Sequence, residues 1–325
     1  MGLHSGIAPE FVYIRLFLGI LYMNIISMSQ YHKKKTWEEE REERVEIFLD
    51  TIRIVNEGRY ITESGRYVEL PVTAWMQEGT TVYSRPFSVN GVAAVEGGTK
   101  TYVVEGDCLK TSRELSERGL NPAVLNMANR QHPGGGVLHG ARAQEESIFR
   151  RSNIFRSLYQ YFPGATSFGV EQKGRAYPLD RNFGGIYTPD VTVFRNTEHT
   201  RCRLMEDPFR TSVITVAAMN RPELTDGMRI ADHLIDGVKN KIRTILRIGL
   251  KHGHDSLVLG AWGCGAFCNP PEHMAELFKE TLEEPEFKGK YREVVFSIID
   301  DHNARRPHNP EGNLLPFVRV FGTLH

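Results

Sequence analysis

The chain has 325 residues, 40% of them hydrophobic, with Lys plus Arg and Asp plus Glu balanced at 40 each. That length and apolar content supply one large core or two small ones, and a net charge of zero leaves no overall field to draw the protein onto DNA or RNA, so direct or sequence-specific nucleic-acid binding is not expected. The four cysteines, Cys108, Cys202, Cys264 and Cys268, are spaced too irregularly for a disulfide framework and read as reduced thiols of a cytoplasmic protein.

In chain order, Phe11 to Met28 is almost wholly apolar, broken by Arg15, Asn24 and Ser27. It approaches the ~18–20 residues that span a bilayer, but no basic region precedes it and no small-residue cleavage pattern follows. Residues 1–35 are therefore read as a disordered or non-native preface to an initiation site near Met28, and a membrane anchor through 11–28 is not the expectation. If they did anchor the chain, Lys33, Lys34 and Lys35 would stay on the cytoplasmic side.

Residues 36–325 read as a single domain, with 36–100 as an N-terminal extension and 101–325 as the core. Trp37 to Glu57 carries Val45, Phe48, Leu49, Ile52 and Val55 at helical spacing. Glycines at 58 and 65 then punctuate a turn into a short strand ending at Leu70. Strands are expected at Thr101–Glu105, Ala123–Asn126, Thr192–Phe194, Val213–Ala217, Ser256–Gly260, Val294–Ile298 and Phe317–Phe321. They alternate with amphipathic helices, the clearest from about Arg229 to His252 with Gly253 as its stop, and another carrying Met274, Leu277, Phe278 and Leu282. The expected class is α/β, a mixed sheet covered by helices on both faces, behind an N-terminal helical extension.

Two glycine-rich connections carry the chemistry. The first runs from Asn126 through Asn129 and Gly134-Gly135-Gly136-Val137 to Gln144-Glu145-Glu146, and the second is Gly260-Ala261-Trp262-Gly263-Cys264-Gly265-Ala266-Phe267-Cys268-Asn269-Pro270. Strand, glycine loop and helix N-terminus together present free N–H groups to phosphate, and two such loops at the carboxyl ends of strands imply a diphosphate held between them. There is no Gly-Lys-Ser/Thr, which excludes a P-loop, and Gly134-x-Gly136-x-x-x-Gly140 is one residue too long for the dinucleotide fingerprint. A dehydrogenase would leave Gln144-Glu145-Glu146 without a purpose. Two adjacent acids at a helix start can be simple dipole complementation; behind a three-glycine run they read as catalytic. His132 and His139 lack a matching Cys/His spacing, so no metal and no cofactor is expected. Asp300-Asp301-His302 reads as a turn cap.

Seven residues separate Gly136 from Gln144, and this run resembles the GGG-x(6–8)-QEE signature of microbial-type poly(ADP-ribose) glycohydrolases of the macrodomain superfamily. The resemblance covers most of residues 38–321 and extends to the second loop. It implies a macrodomain-like sheet and hydrolysis of the ribose–ribose O-glycosidic bonds of poly(ADP-ribose), mainly from the free end, with release of ADP-ribose. Poly(ADP-ribose) and ADP-ribosylated proteins are the implied partners, in ADP-ribosylation turnover such as the DNA damage response, in the cytoplasm or in a eukaryotic nucleus, and with the chain as a monomer. By the same resemblance Glu146 is the acid that protonates the leaving ribose hydroxyl and then deprotonates water. Glu145 holds the hydroxyls of the ribose being cut, and Asn129 orients a ribose. Gln144, Gly134, Gly135, Gly136 and Val137 line the substrate on one side, and Gly263, Cys264, Gly265, Ala266 and Phe267 on the other, with Phe267 over the distal ribose. Asp107 resembles the macrodomain aspartate that meets adenine, and equally reads as an acid closing a strand-end turn. The family commonly has Pro where this chain has Met219. An ADP-ribose reader or a mono-ADP-ribosyl hydrolase is the alternative. A helix N-terminus favours ionised Glu146, whereas a general acid needs a proton, so Glu146 is expected to be ionised in the free enzyme and to gain its proton when substrate excludes water.

Overall fold

The structure, a computed structural model, describes residues 35–299 and 305–323. The apolar stretch 11–28 and Asp300-Asp301-His302 lie outside those residues. No helix among the described residues is long and apolar enough to cross a membrane.

Helix α1 (Trp37–Glu57) opens on a capping box, in which the Thr36 side chain and that of Glu39 each take the other's backbone N–H, and closes on Gly58 in the left-handed conformation. It buries Phe48, Thr51, Ile54 and Val55. A small hairpin of β1 (Arg59–Ile61) and β2 (Tyr67–Glu69) and a short helix α2 (Ala74–Glu78) lead to the main sheet.

That sheet comprises β3 (Thr81–Tyr83), β4 (Lys100–Glu105), β5 (Pro122–Met127), β6 (Gly185–Arg195), β7 (Leu204–Val216), β10 (Ser256–Leu259) and β11 (Glu293–Ile298), in the order β3-β6-β7-β5-β10-β11-β4. From β7 to β4 neighbouring strands are parallel, and β6 and β3 add an antiparallel edge. The interior strands β10 and β11 are buried at every position, as strands covered on both faces must be. Helices α3 (Cys108–Glu117), α4 (Gln144–Arg151) and α5 (Phe155–Leu158) join α1 in the core on one face. Helices α6 (Asp232–Lys251), α7 (Pro271–Leu282) and α8 (Leu314–Phe321) build the core on the other. A two-residue hairpin of β8 (Leu224–Thr225) and β9 (Arg229–Ile230) precedes α6.

Three expectations need correction. Phe317–Phe321 is helical, because Leu314, Phe317, Val318 and Phe321 share one helical face and the rings of Phe317 and Phe321 pack on Phe296 of β11. Arg229 and Ile230 belong to β9, so α6 begins at Asp232. The pair β6–β7 is far longer than the cores at 192–194 and 213–217, since Pro189, a left-handed Asp190 and half-buried polar positions hide the alternation.

Candidate active site

Both glycine loops leave the carboxyl ends of adjacent parallel strands, β5 and β10. A Cβ on Gly260 would lie 3.1 Å from the Met127 methyl group, so the roots of the two loops touch.

Gln144 opens α4 and fastens it to β5. Its Oε1 accepts from the Met127 N–H at 2.9 Å, and its Nε2 donates to the Leu125 carbonyl at 2.6 Å and to Cys108 Sγ at 3.3 Å. Both ends of the amide are thereby occupied by protein. One residue on, the Glu145 carboxylate knits the loop together. Its Oε1 accepts from the Gly134 N–H at 3.0 Å and from Asn126 Nδ2 at 3.4 Å, and its Oε2 from the Asn129 N–H at 2.6 Å. Glu146 takes the Gly136 N–H on Oε1 at 2.8 Å. Its Oε2 is buried and has no partner among the described residues, which leaves one oxygen of this acid for a ligand.

The glycines are dictated by these acids. Gly135 has φ +53°, and a Cβ there would lie 2.4 Å from Glu146 Oε1 and 3.2 Å from Glu145 Oε2, so no side chain fits between the backbone and the carboxylates. The Gly135 N–H donates to His132 O and that of Val137 to Gly134 O. Every N–H from 134 to 137 is thus used inside the protein. The expectation that this loop offers amides to a diphosphate is corrected: the acids take the N–H groups of Gly134 and Gly136, and turn carbonyls take those of Gly135 and Val137. Val137 is buried in the core on the α1 side. Asn129 uses Oδ1 for the N–H groups of Gln131 and His132, a turn that leaves its Nδ2 without a protein partner among the described residues.

Burial pushes the Glu145 carboxyl up to about 8, with Glu146 adding to the rise and the N–H donors of Asn129 and Gly134 opposing it. Tyr159 and Tyr177 stand near Glu145, their hydroxyls also pushed up by burial, and the Tyr177 hydroxyl is buried without a partner. A carboxyl raised that far keeps its proton at neutral pH, so Glu145 is the acid of the pair whose burial favours the neutral form.

The second loop does offer amides. Trp262, Cys264, Cys268 and Asn269 donate within the loop to Gly260, Ala261, Gly265 and Gly263. The N–H groups of Gly263, Gly265, Ala266 and Phe267 have no protein partner among the described residues. Asn269, itself buried, shapes the loop by donating Nδ2 to the carbonyls of Met219 (2.7 Å), Gly263 (3.0 Å) and Phe267 (3.2 Å). Gly263 has φ +79° and would place a Cβ 2.6 Å from Ala218. Buried Trp262 donates its indole N–H to Val216 O, tying the loop to the end of β7. Cys264 is buried, Ala266 exposed, and the half-buried Phe267 ring lies against the core on the α6 side.

Asp107 is an N-cap. It accepts from the Lys110 N–H and holds Arg151 through both carboxylate oxygens at 2.6 and 3.0 Å, so the turn-closing reading accounts for it. His132 sits edge-on to Phe162. Among the described residues no group of three His, Cys, Asp or Glu side chains could hold a metal ion. Asn126, Tyr159, Tyr177 and Asn269 were not marked by sequence reasoning. Asn126 and Asn269 lay inside the two motifs without a role of their own; Tyr159 and Tyr177 reach the site only through packing.

Residues 49–196 match the family described as microbial-type PARG, catalytic domain. The chain is similar to the crystal structure of poly(ADP-ribose) glycohydrolase from Thermomonospora curvata bound to the inhibitor ADP-HPD, at 33% identity and a TM-score of 0.67 over 86% of this chain and 99% of that one. The same organism's enzyme in another crystal structure aligns at 32% identity and a TM-score of 0.69. Poly(ADP-ribose) glycohydrolase from Deinococcus radiodurans in complex with ADP-ribose aligns at 27% identity and a TM-score of 0.58 over 78% of this chain and 98% of that one. A search of curated proteins gives no match.

Proposed function

The chain belongs to the microbial-type poly(ADP-ribose) glycohydrolases, and from that premise we propose that Glu146 is the general acid and base of an enzyme cutting poly(ADP-ribose) from its free end. The observation that carries this reading is the pair of Glu146 oxygens, one fixed by the Gly136 N–H and the other buried and unpartnered.

The diphosphate of the terminal ADP-ribose lies on the open N–H groups at 263–267, with Phe267 beside the distal ribose and Asn129 Nδ2 on a hydroxyl of the ribose being cut. Glu145 chiefly anchors the loop, and its remaining lone pairs face that same ribose. Gln144, Gly134, Gly135, Gly136 and Val137 act by holding the acids in place. Glu146 delivers a proton to the glycosidic oxygen as the C1–O bond breaks. An oxocarbenium-like sugar results, and the leaving ribose regains its hydroxyl. Water then adds to the anomeric carbon and gives its proton back to Glu146, and ADP-ribose is released.

Incubation with poly(ADP-ribose) tests this. The native protein is expected to release ADP-ribose from the earliest times, with the remaining polymer shortening gradually and no free oligomers appearing first. Glu146→Gln is expected to lose activity by roughly 10²–10⁴-fold, the range for a positioned acid–base group, while still binding ADP-ribose. Free oligomers as first products would refute cutting from the end. Binding without product in the native protein would make it a reader, and near-native turnover by Glu146→Gln would remove the assigned acid.

A further inference from the structure

We propose that Arg41 and Arg44 of α1, together with Arg150 of α4, are positioning residues that set the Glu146 carboxylate through the backbone of the catalytic loop. The proposal rests on the role given to Glu146 above.

Three successive carbonyls just ahead of α4 each accept from a different guanidinium. Arg41 Nε donates to His139 O at 2.5 Å, Arg44 Nε to Gly140 O at 2.7 Å, and Arg150 Nη1 to Ala141 O at 2.7 Å. Arg150 is wholly buried and is itself held by Glu198 through Nε at 2.9 Å and Nη2 at 2.7 Å. Helix α1 also presses on the loop directly, since a Cβ on Gly140 would lie 2.2 Å from the Arg41 carbonyl oxygen. Helix α4 has Ala143 at its N-cap and no side-chain cap bond, so no capping side chain ties down residues 139–141 ahead of it.

From these carbonyls a short path reaches the acid. The N–H groups of His139 and Ala141 both donate to Gly136 O, at 2.9 and 3.2 Å. The Gly136 N–H in turn donates to Glu146 Oε1 at 2.8 Å. Residues whose carbonyls the arginines hold therefore fix Gly136 through its carbonyl, and the N–H of that same residue, one peptide unit earlier, aims Glu146. None of the three arginines touches the amides at 263–267. The clamp bears on proton delivery and leaves the diphosphate loop alone, which separates it from a general stabilising role.

The test compares the double variant Arg41→Ala/Arg44→Ala with native protein and with Glu146→Gln. A misplacement of the acid on the ångström scale costs turnover up to about a hundredfold. The double variant is expected to lose ten- to a hundredfold in kcat on poly(ADP-ribose), with ADP-ribose affinity by calorimetry within twofold of native. Arg41→Lys/Arg44→Lys, which keeps charge and a donor, is expected to recover part of kcat. A kcat within twofold of native, or a fall in kcat matched by an equal fall in ADP-ribose affinity, would overturn the proposal. Should the double variant fail to fold, the exposed single variant Arg41→Ala supplies the same split between kcat and affinity, with at least a threefold loss of kcat expected and an unchanged kcat as refutation. If Glu146→Gln keeps activity the assignment of the acid fails first; if it is inactive while the arginine variants are native-like, the clamp alone fails.

Discussion

Glu145 and Glu146 are sequence neighbours with different duties, and the difference lies in what their oxygens meet. Glu145 has both oxygens engaged by donors, while one oxygen of Glu146 has none. The cost of burying Glu145 has a consequence for stability. With its pKa raised from about 4.5 to about 8, the folded form binds a proton that the unfolded chain releases, so this group's contribution to stability falls as pH rises through that window. The melting temperature of the native protein is expected to decline between pH 5 and 8, and that of Glu145→Gln to decline less. Parallel curves would show that Glu145 is not the group concerned. The pair and the three glycines before it were legible in the sequence. That the amides of Gly134 and Gly136 serve the acids was not, because the pairing joins residues ten and eleven positions apart through a turn whose shape depends on Asn129 and Phe149 packing.

At the scale of elements, the two loops divide the labour. The loop after β5 spends its donors on its own acids and turn carbonyls, and the loop after β10 keeps four N–H groups without a partner among the described residues. Asn269 maintains that second loop from beneath, bridging it to the segment at Met219 where the family commonly has Pro. Replacing Asn269 by Ala removes three donated bonds, so ADP-ribose affinity is expected to fall by about tenfold or more, a loss of ~1–2 kcal/mol. The acid pair is untouched, so single-turnover rates at saturating polymer are expected to stay within a few-fold of native; calorimetry and quenched-flow together check the split. A large rate loss with unchanged affinity would contradict this. Strands such as β5, β10 and β11 were readable because burial on both faces leaves an unbroken apolar run. Helix α8 was misread because Val and Phe favour strands locally, whereas the spacing of Phe317 and Phe321 lets both rings reach Phe296. Nothing local in the sequence marks Arg41 and Arg44 as donors to carbonyls almost a hundred residues away.

For the whole molecule, strand order is what makes a site of two distant motifs. Residues 134–146 and 260–269 meet because β5 and β10 are hydrogen-bonded neighbours pointing the same way, with α1 closing on the far side of the first loop. The account therefore stands on one spatial relation: a diphosphate on the amides at 263–267 puts the neighbouring glycosidic bond beside Glu146. A crystal structure of Glu146→Gln with a short ADP-ribose oligomer measures that relation directly. It is expected to show diphosphate oxygens within hydrogen-bond distance, about 2.7–3.2 Å, of N–H groups among Gly263, Gly265, Ala266 and Phe267, with the residue-146 side chain against the glycosidic oxygen. A diphosphate seated on residues 134–137, or a residue-146 side chain turned away from the scissile bond, would contradict it.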